Sequence, residues 1–71
     1  MTIEDVIAAV EEETGQAVTP ETKISDLGID SLEFMDLILH VSNKCGEIPD
    51  SAVPSIETVD DLFLAASGVL I

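Results

Sequence analysis

Few residues in this chain of 71 could do chemistry by themselves. There is one histidine, one cysteine and a handful of serines among 15 Asp and Glu. Ser31 has the most unusual setting, within Leu27-Gly28-Ile29-Asp30-Ser31-Leu32, where a polar loop gives way to the longest apolar-periodic segment. As a nucleophile Ser31 would need a base within hydrogen-bond reach. The only histidine, His40, lies nine residues further along the same segment. On a helix that spacing puts it half a turn round and about 13 Å up the axis, out of reach of Ser31. His40 is expected at the surface or partly covered. Cys45 lacks a clear activating partner, and its spacing with Phe34 and Val41 suggests a core position. A lone His and a lone Cys cannot make a zinc site. Asp26, Asp30, Glu33 and Asp36 lack the glycine and the alternation of a calcium loop. The expectation is a protein with no catalytic constellation and no metal site, hence not an enzyme.

What remains is a serine suited to modification. Asp30 can act as N-cap of the following helix, and Glu33 falls three residues later, the spacing of a capping box. Ser31 then becomes the first helical residue, with its hydroxyl at the rim and facing water. A helix start presents unpaired N–H groups and the positive end of the macrodipole, so an anionic group on Ser31 is favoured there. Ser25 and Ser51 lack these flanking residues.

Gly28-x-Asp30-Ser31-Leu32 opening a helix resembles the attachment site of the acyl carrier protein family and the related peptidyl carriers. Glu47-Ile48-Pro49-Asp50 and Thr58-Val59 also resemble family features at about the expected distance from the serine, so the likeness spans nearly the whole chain. It implies a small acyl-carrier-like four-helix bundle, three main helices plus one short helix. It implies a covalent 4′-phosphopantetheine on Ser31, joined by a phosphodiester, whose thiol holds acyl groups as thioesters. A phosphopantetheinyl transferase would install it from coenzyme A, and the loaded carrier would serve partner enzymes of fatty-acid, polyketide or related biosynthesis. Asp-Ser-Leu after Gly-Ile is more similar to fatty-acyl and polyketide-type carriers than to peptidyl ones. An aminoacyl or peptidyl carrier with the same group is the alternative, and an unmodified acidic helical interaction module is the rival from another class. Two departures stand out. Ser42-Asn43-Lys44 replaces the acidic continuation usual late in the second helix, and Phe34 is bulky where many relatives have something smaller. If Phe34 points between the second and third helices, a long acyl chain fits poorly, which favours a short or specialised cargo, aminoacyl groups included.

The elements that must position Ser31 follow from length, charge and periodicity. Seventy-one residues make one small domain, 1–71. The formal charge is −13, with only 2 Lys and Arg, yet about a third of the chain is Leu, Ile, Val or Phe, above the level of disordered chains. A folded domain with a strongly negative surface is expected. That surface excludes nucleic acid and anionic membranes and favours partners with basic docking patches. The protein is expected to be a monomer. One cysteine precludes an internal disulfide and suits the cytoplasm. No leader and no membrane-spanning run is evident, and a start at Met1 favours a free-standing protein.

The fold class is all-α, since no apolar run shows sustained alternation between hairpin turns. The first helix is expected to start at Thr2 as N-cap and stop at Gly15, with Ile3, Val6, Ile7 and Val10 as its apolar stripe. Glu11, Glu12 and Glu13 in its last turn have the wrong sign for the dipole and read as a solvated end or an acidic partner contact. Residues 16–29 form a long connection, with a turn at Thr19-Pro20-Glu21-Thr22 and with Ile24, Leu27 and Ile29 pinning it over the core. Its length should let the first two helices lie antiparallel.

The second helix should run from Ser31 to about Cys45, with Gly46 as its left-handed C′ residue. Phe34, Leu37, Ile38, Val41 and Cys45 make one stripe; Leu32, Met35 and Leu39 make another, beginning beside Ser31. The second stripe packs under the loop or forms an exposed docking face flanked by Glu33 and Asp36. On the docking reading Asp30, Leu32, Glu33, Met35, Asp36 and Leu39 are the partner contacts. Asp50 could cap one short helical turn cut off by Pro54, with Val53 and Ile56 as core plugs. The last helix begins at Thr58, with a capping box to Asp61 and the stripe Val59, Leu62, Phe63 and Ala66, and ends at Gly68. The apolar tail Val69-Leu70-Ile71 covers the first helix or frays.

Overall fold

Side-chain caps set the helix starts. A computed structural model describes residues 1–69, so the part of the tail at Leu70 and Ile71 lies outside the described residues. Helix α1 spans Ile3–Thr14, α2 spans Ser31–Lys44 and α3 spans Val59–Ala66. Asp5 accepts from the Thr2 N–H at 2.9 Å, which satisfies one of the orphan donors at the start of α1. At α3 the box is reciprocal: Thr58 Oγ1 accepts from the Asp61 N–H at 3.2 Å, and Asp61 accepts from the Thr58 N–H at 3.1 Å. At α2 only the forward half forms, the Asp30 carboxylate accepting from the Glu33 N–H at 2.8 Å. Glu33 itself is exposed.

Two short 3₁₀ segments complete the chain, at Ile24–Leu27 and Asp50–Ser55. No strand occurs among the described residues; Lys23 and Thr58 make one isolated antiparallel bridge. Val6, Val10, Leu37, Val41, Val59 and Leu62, two from each α-helix, are fully buried and form the centre of one apolar cluster. Val18, Ile24 and Leu27 from the long connection join it, as do Ile48, Ala52 and Ile56 from the second one. Ile29, Phe34, Cys45, Val53, Phe63 and Ala66 are half-buried around it. In α3 the fully covered third position is Ala65, one residue before the expected Ala66.

The long connection does not float. Its turn at Thr19-Thr22 closes with a 3.1 Å backbone bond, and the 3₁₀ segment at Ile24–Leu27 follows it. Three backbone bonds then stitch it to the start of α3: Ile24 N–H to the Glu57 carbonyl at 2.8 Å, Val59 N–H to Thr22 at 3.0 Å and Asp60 N–H to Pro20 at 2.9 Å. Such bonds satisfy loop backbone that the core would otherwise leave unpaired.

Four expectations change. Glu11 accepts from the Val18 N–H at 3.1 Å, so it braces the loop rather than standing in solvent. Glu12 and Glu13 face His40, at 3.3 and 3.7 Å, and Glu12 also lies 3.6 Å from the Lys44 ammonium. These acids therefore face side chains of α2 rather than open solvent alone, although Glu12 and Lys44 remain more than half exposed. Gly46 does not take the left-handed conformation, whereas Gly15, Gly28 and Gly68 do. Its reason is space: a Cβ there would sit 2.6 Å from the Ala66 carbonyl oxygen. Finally, Pro49 occupies the capping position of the second 3₁₀ segment and Asp50 is its first residue.

Candidate functional site

Ser31 stands where three local features meet. Leu27 ends the first 3₁₀ segment, and Gly28 leaves it with φ 72°, a left-handed conformation that side chains rarely adopt. Asp30 then takes an extended backbone and caps α2. Ser31, the first residue of α2, is exposed, as are Asp30 and Leu32. The hydroxyl is thus held at the electropositive end of a 14-residue helix, with room around it.

Beside it opens a cleft of about 500 Å³. Ile24, Ile29, Phe34 and Ile56 form its apolar lining, and Lys23, Ser25, Asp30, Ser31 and Glu57 its polar margin. The stitching of residues 20–24 to 57–60 brings these walls together from three separate stretches of chain. Phe34 lines this cleft together with Ser31. Residue type gives no sign that Lys23, Ile56 and Glu57 neighbour Ser31, because the bonds that bring them there are between backbone groups.

The other reactive side chains are elsewhere. His40 is occupied with Glu12 and Glu13 on the α1 side of α2. Burial pushes the Cys45 thiol up from its ordinary value, and the negative charge of Asp5 adds to this. A raised thiol stays protonated near neutrality and is a poor nucleophile. No group of three or more His, Cys, Asp or Glu among the described residues is placed to hold a metal ion. Neither His40 nor Cys45 is thus placed among the described residues to activate Ser31. An exposed hydroxyl at a helix start, above an open cleft with an apolar floor, fits a phosphate-linked arm sterically and electrostatically.

The second stripe of α2 stays outside. Leu32, Met35 and Leu39 are 77%, 45% and 58% exposed. Glu33 and Asp36 are exposed beside them. This side of the helix, running away from Ser31, is apolar in its middle and acidic at its margins, while Leu37, Ile38 and Val41 on the other side are buried.

Fold and site together define a class: a small acidic helical domain with an exposed serine at the start of its second α-helix, beside an open cleft. The family described as "Phosphopantetheine attachment site" matches residues 2–63. Among curated proteins the chain is 38% identical over 63 residues to an acyl carrier protein of Syntrophobacter fumaroxidans, covering 86% of this chain and 78% of that one. It is 39% identical over 64 residues to the acyl carrier protein of Helicobacter pylori strain G27, covering 83% and 82%. It is 30% identical over 86 residues to acyl carrier protein AcpXL of Brucella melitensis, covering 93% and 92%. No solved structure matches the chain. The chain belongs to the acyl carrier protein family, whose members are carriers rather than enzymes and bear a covalent 4′-phosphopantetheine. No helix among the described residues is long and apolar enough to cross a membrane.

Proposed function

We propose that Ser31 is the residue that bears the 4′-phosphopantetheine and that residues 1–71 act as one carrier domain. The observation that carries this reading is the exposed Ser31 hydroxyl on the first residue of α2, capped by Asp30 and set over the cleft. Loading is a substitution at phosphorus. The hydroxyl forms a new P–O bond to the pantetheine-bearing phosphate of coenzyme A and gives its proton to a base of the transferase, while the pyrophosphate bond breaks and adenosine 3′,5′-bisphosphate leaves. The transferase must supply that base, since His40 faces Glu12 and Glu13. Once attached, the group supplies a thiol that holds an acyl cargo as a thioester.

The chain's own residues then hold, present and dock. Asp30 and Gly28 fix the start of α2 and so the direction of the attachment point. Leu32, Met35 and Leu39 give partners an apolar contact, while Asp30, Glu33 and Asp36 steer basic docking patches towards it. The partners are a phosphopantetheinyl transferase and enzymes that load and process acyl groups in fatty-acid, polyketide or related biosynthesis, each met in turn by a monomeric carrier in the cytoplasm. Phe34 takes up part of the cleft, which favours a short cargo. Incubation with a transferase and coenzyme A should raise the intact mass by one phosphopantetheine and release one adenosine bisphosphate. Ser31→Ala should stay unmodified. An unchanged wild-type mass, or a modified Ser31→Ala protein, overturns the assignment.

A further inference from the structure

The cleft beside Ser31 contains a cation that the carrier role leaves unexplained. The chain has two lysines, Lys23 and Lys44, and no arginine, against 15 acids. Lys44 is engaged at the far end of α2, 3.6 Å from Glu12. Lys23 lies in the margin of the Ser31 cleft and makes no ion pair among the described residues, although Asp30 and Glu57 share that margin. Its backbone is fixed: the bridge to Thr58 holds it extended, and the next N–H is bonded to the Glu57 carbonyl at 2.8 Å. In a domain of formal charge −13, an unpaired lysine thus lines the same cleft as Ser31, where a new negative charge would arise on modification.

We propose that Lys23 is the counter-ion of the phosphodiester on Ser31 and thereby turns the first atoms of the arm over the apolar lining of the cleft rather than out to solvent. The inference rests on the assignment of Ser31. Modification replaces a neutral hydroxyl by a monoanion beside the Asp30 carboxylate. The start of α2 offsets part of that repulsion, but one of its N–H groups is already taken by Asp30. Lys23, in the margin of the same cleft, supplies a full positive charge, and a lysine acts on phosphate as a point charge without needing a fixed fork geometry. With the phosphate drawn towards Lys23, the adjoining apolar carbons of the arm come to lie against Ile24, Phe34 and Ile56.

The test uses the full chain, loaded but carrying no acyl cargo, so that the phosphodiester is the only anion added. Intact mass first establishes whether loading has occurred, and that measurement alone judges the Ser31 assignment. Proton–carbon NMR of the lysine side chains then compares unloaded and loaded protein; with two lysines the spectrum is read directly. Loading should move the Lys23 Cε–Hε signal and leave Lys44 in place, and the shift should shrink by more than half between 20 mM and 0.5 M salt, as expected for a partly exposed charge pair. Nuclear Overhauser contacts from the geminal methyls of the arm to Phe34 and Ile56 should be present in wild type, weakened in Lys23→Gln and restored in Lys23→Arg. A merely structural lysine would leave those contacts unchanged. Loading seen by mass, with an unmoved Lys23 signal or with arm contacts indifferent to Lys23→Gln, overturns the proposal and leaves the Ser31 assignment standing.

Discussion

On α2, Leu37, Ile38 and Val41 turn inward and are buried, whereas Leu32, Met35 and Leu39, apolar residues of the same helix, remain in solvent. The two groups differ in what the rest of the chain can bring to them. The inward side meets α1 and α3, whose Val6, Val10, Val59 and Leu62 complete a closed core. Nothing among the described residues covers the outward side, and a domain this small has little surface left over to do so. Burial of one side stabilises the fold; exposure of the other keeps apolar area available beside Ser31. The two sides should therefore respond oppositely to truncation. Leu37→Ala should cost about 2–5 kcal/mol by urea denaturation, through lost burial and a cavity. Leu39→Ala should change stability by less than about 0.5 kcal/mol and yet slow loading by the transferase. Equal losses of stability at the two positions would erase the distinction.

The next largest effect lies where α2 leaves the core. Gly46 passes under α3 so closely that a methyl group meets a backbone carbonyl, which cannot rotate away. Gly46→Ala should destabilise by about 1–3 kcal/mol with loading unimpaired in the folded fraction. The inward side of α2 would thus be sensitive beyond its last buried residue. A neutral Gly46→Ala would show that α3 yields easily and that the core is looser than its burial suggests.

How much of this was legible in residue order depends on the range of the interaction involved. Thr2, Asp30 and Thr58 act on groups three residues away, so the helix starts follow from local sequence. The two stripes of α2 follow from a helical period together with more apolar residues than one side holds. The cleft depends on Ile24 bonding to Glu57 across most of the domain, backbone to backbone, and any residue type would make that bond. Gly46 invites a local explanation, a helix stop, while its constraint comes from Ala66 in another helix. The acids at the end of α1 read as solvated because their partners, His40 and Lys44, sit on a different element.

A smaller effect marks the boundary between the two sides. Cys45 ends the inward stripe and is only half-buried. Its thiol is raised by burial first and by Asp5 second, so the folded protein holds that proton more tightly than the unfolded chain does. Stability from this source is fully present below the ordinary thiol value and falls as pH rises through the folded one. Wild type should lose stability on passing into that alkaline range, and Cys45→Ala should lose less. Alkylation near neutral pH should also be slower in folded than in urea-unfolded protein, and equal rates would place Cys45 on the outward side.

The least effect is expected from the ion cluster that flanks the inward side. Glu12 lies within 4 Å of both His40 and Lys44, but Glu12 and Lys44 are more than half exposed, and the Glu12 contact to His40 leaves the imidazole Nε2 without a hydrogen bond. Exposed pairs of this kind gain little over hydration and lose side-chain freedom, so Glu12→Gln should shift stability by no more than about 0.5 kcal/mol at low salt. Near 1 M salt, where the screening length is only about 3 Å, the difference should vanish. A larger, salt-resistant loss would mean that the two helices are held together by these charges as much as by Val6, Val10, Leu37 and Val41. The apolar side of α2 would then no longer account for the fold by itself, and the contrast between its two sides would lose its physical basis.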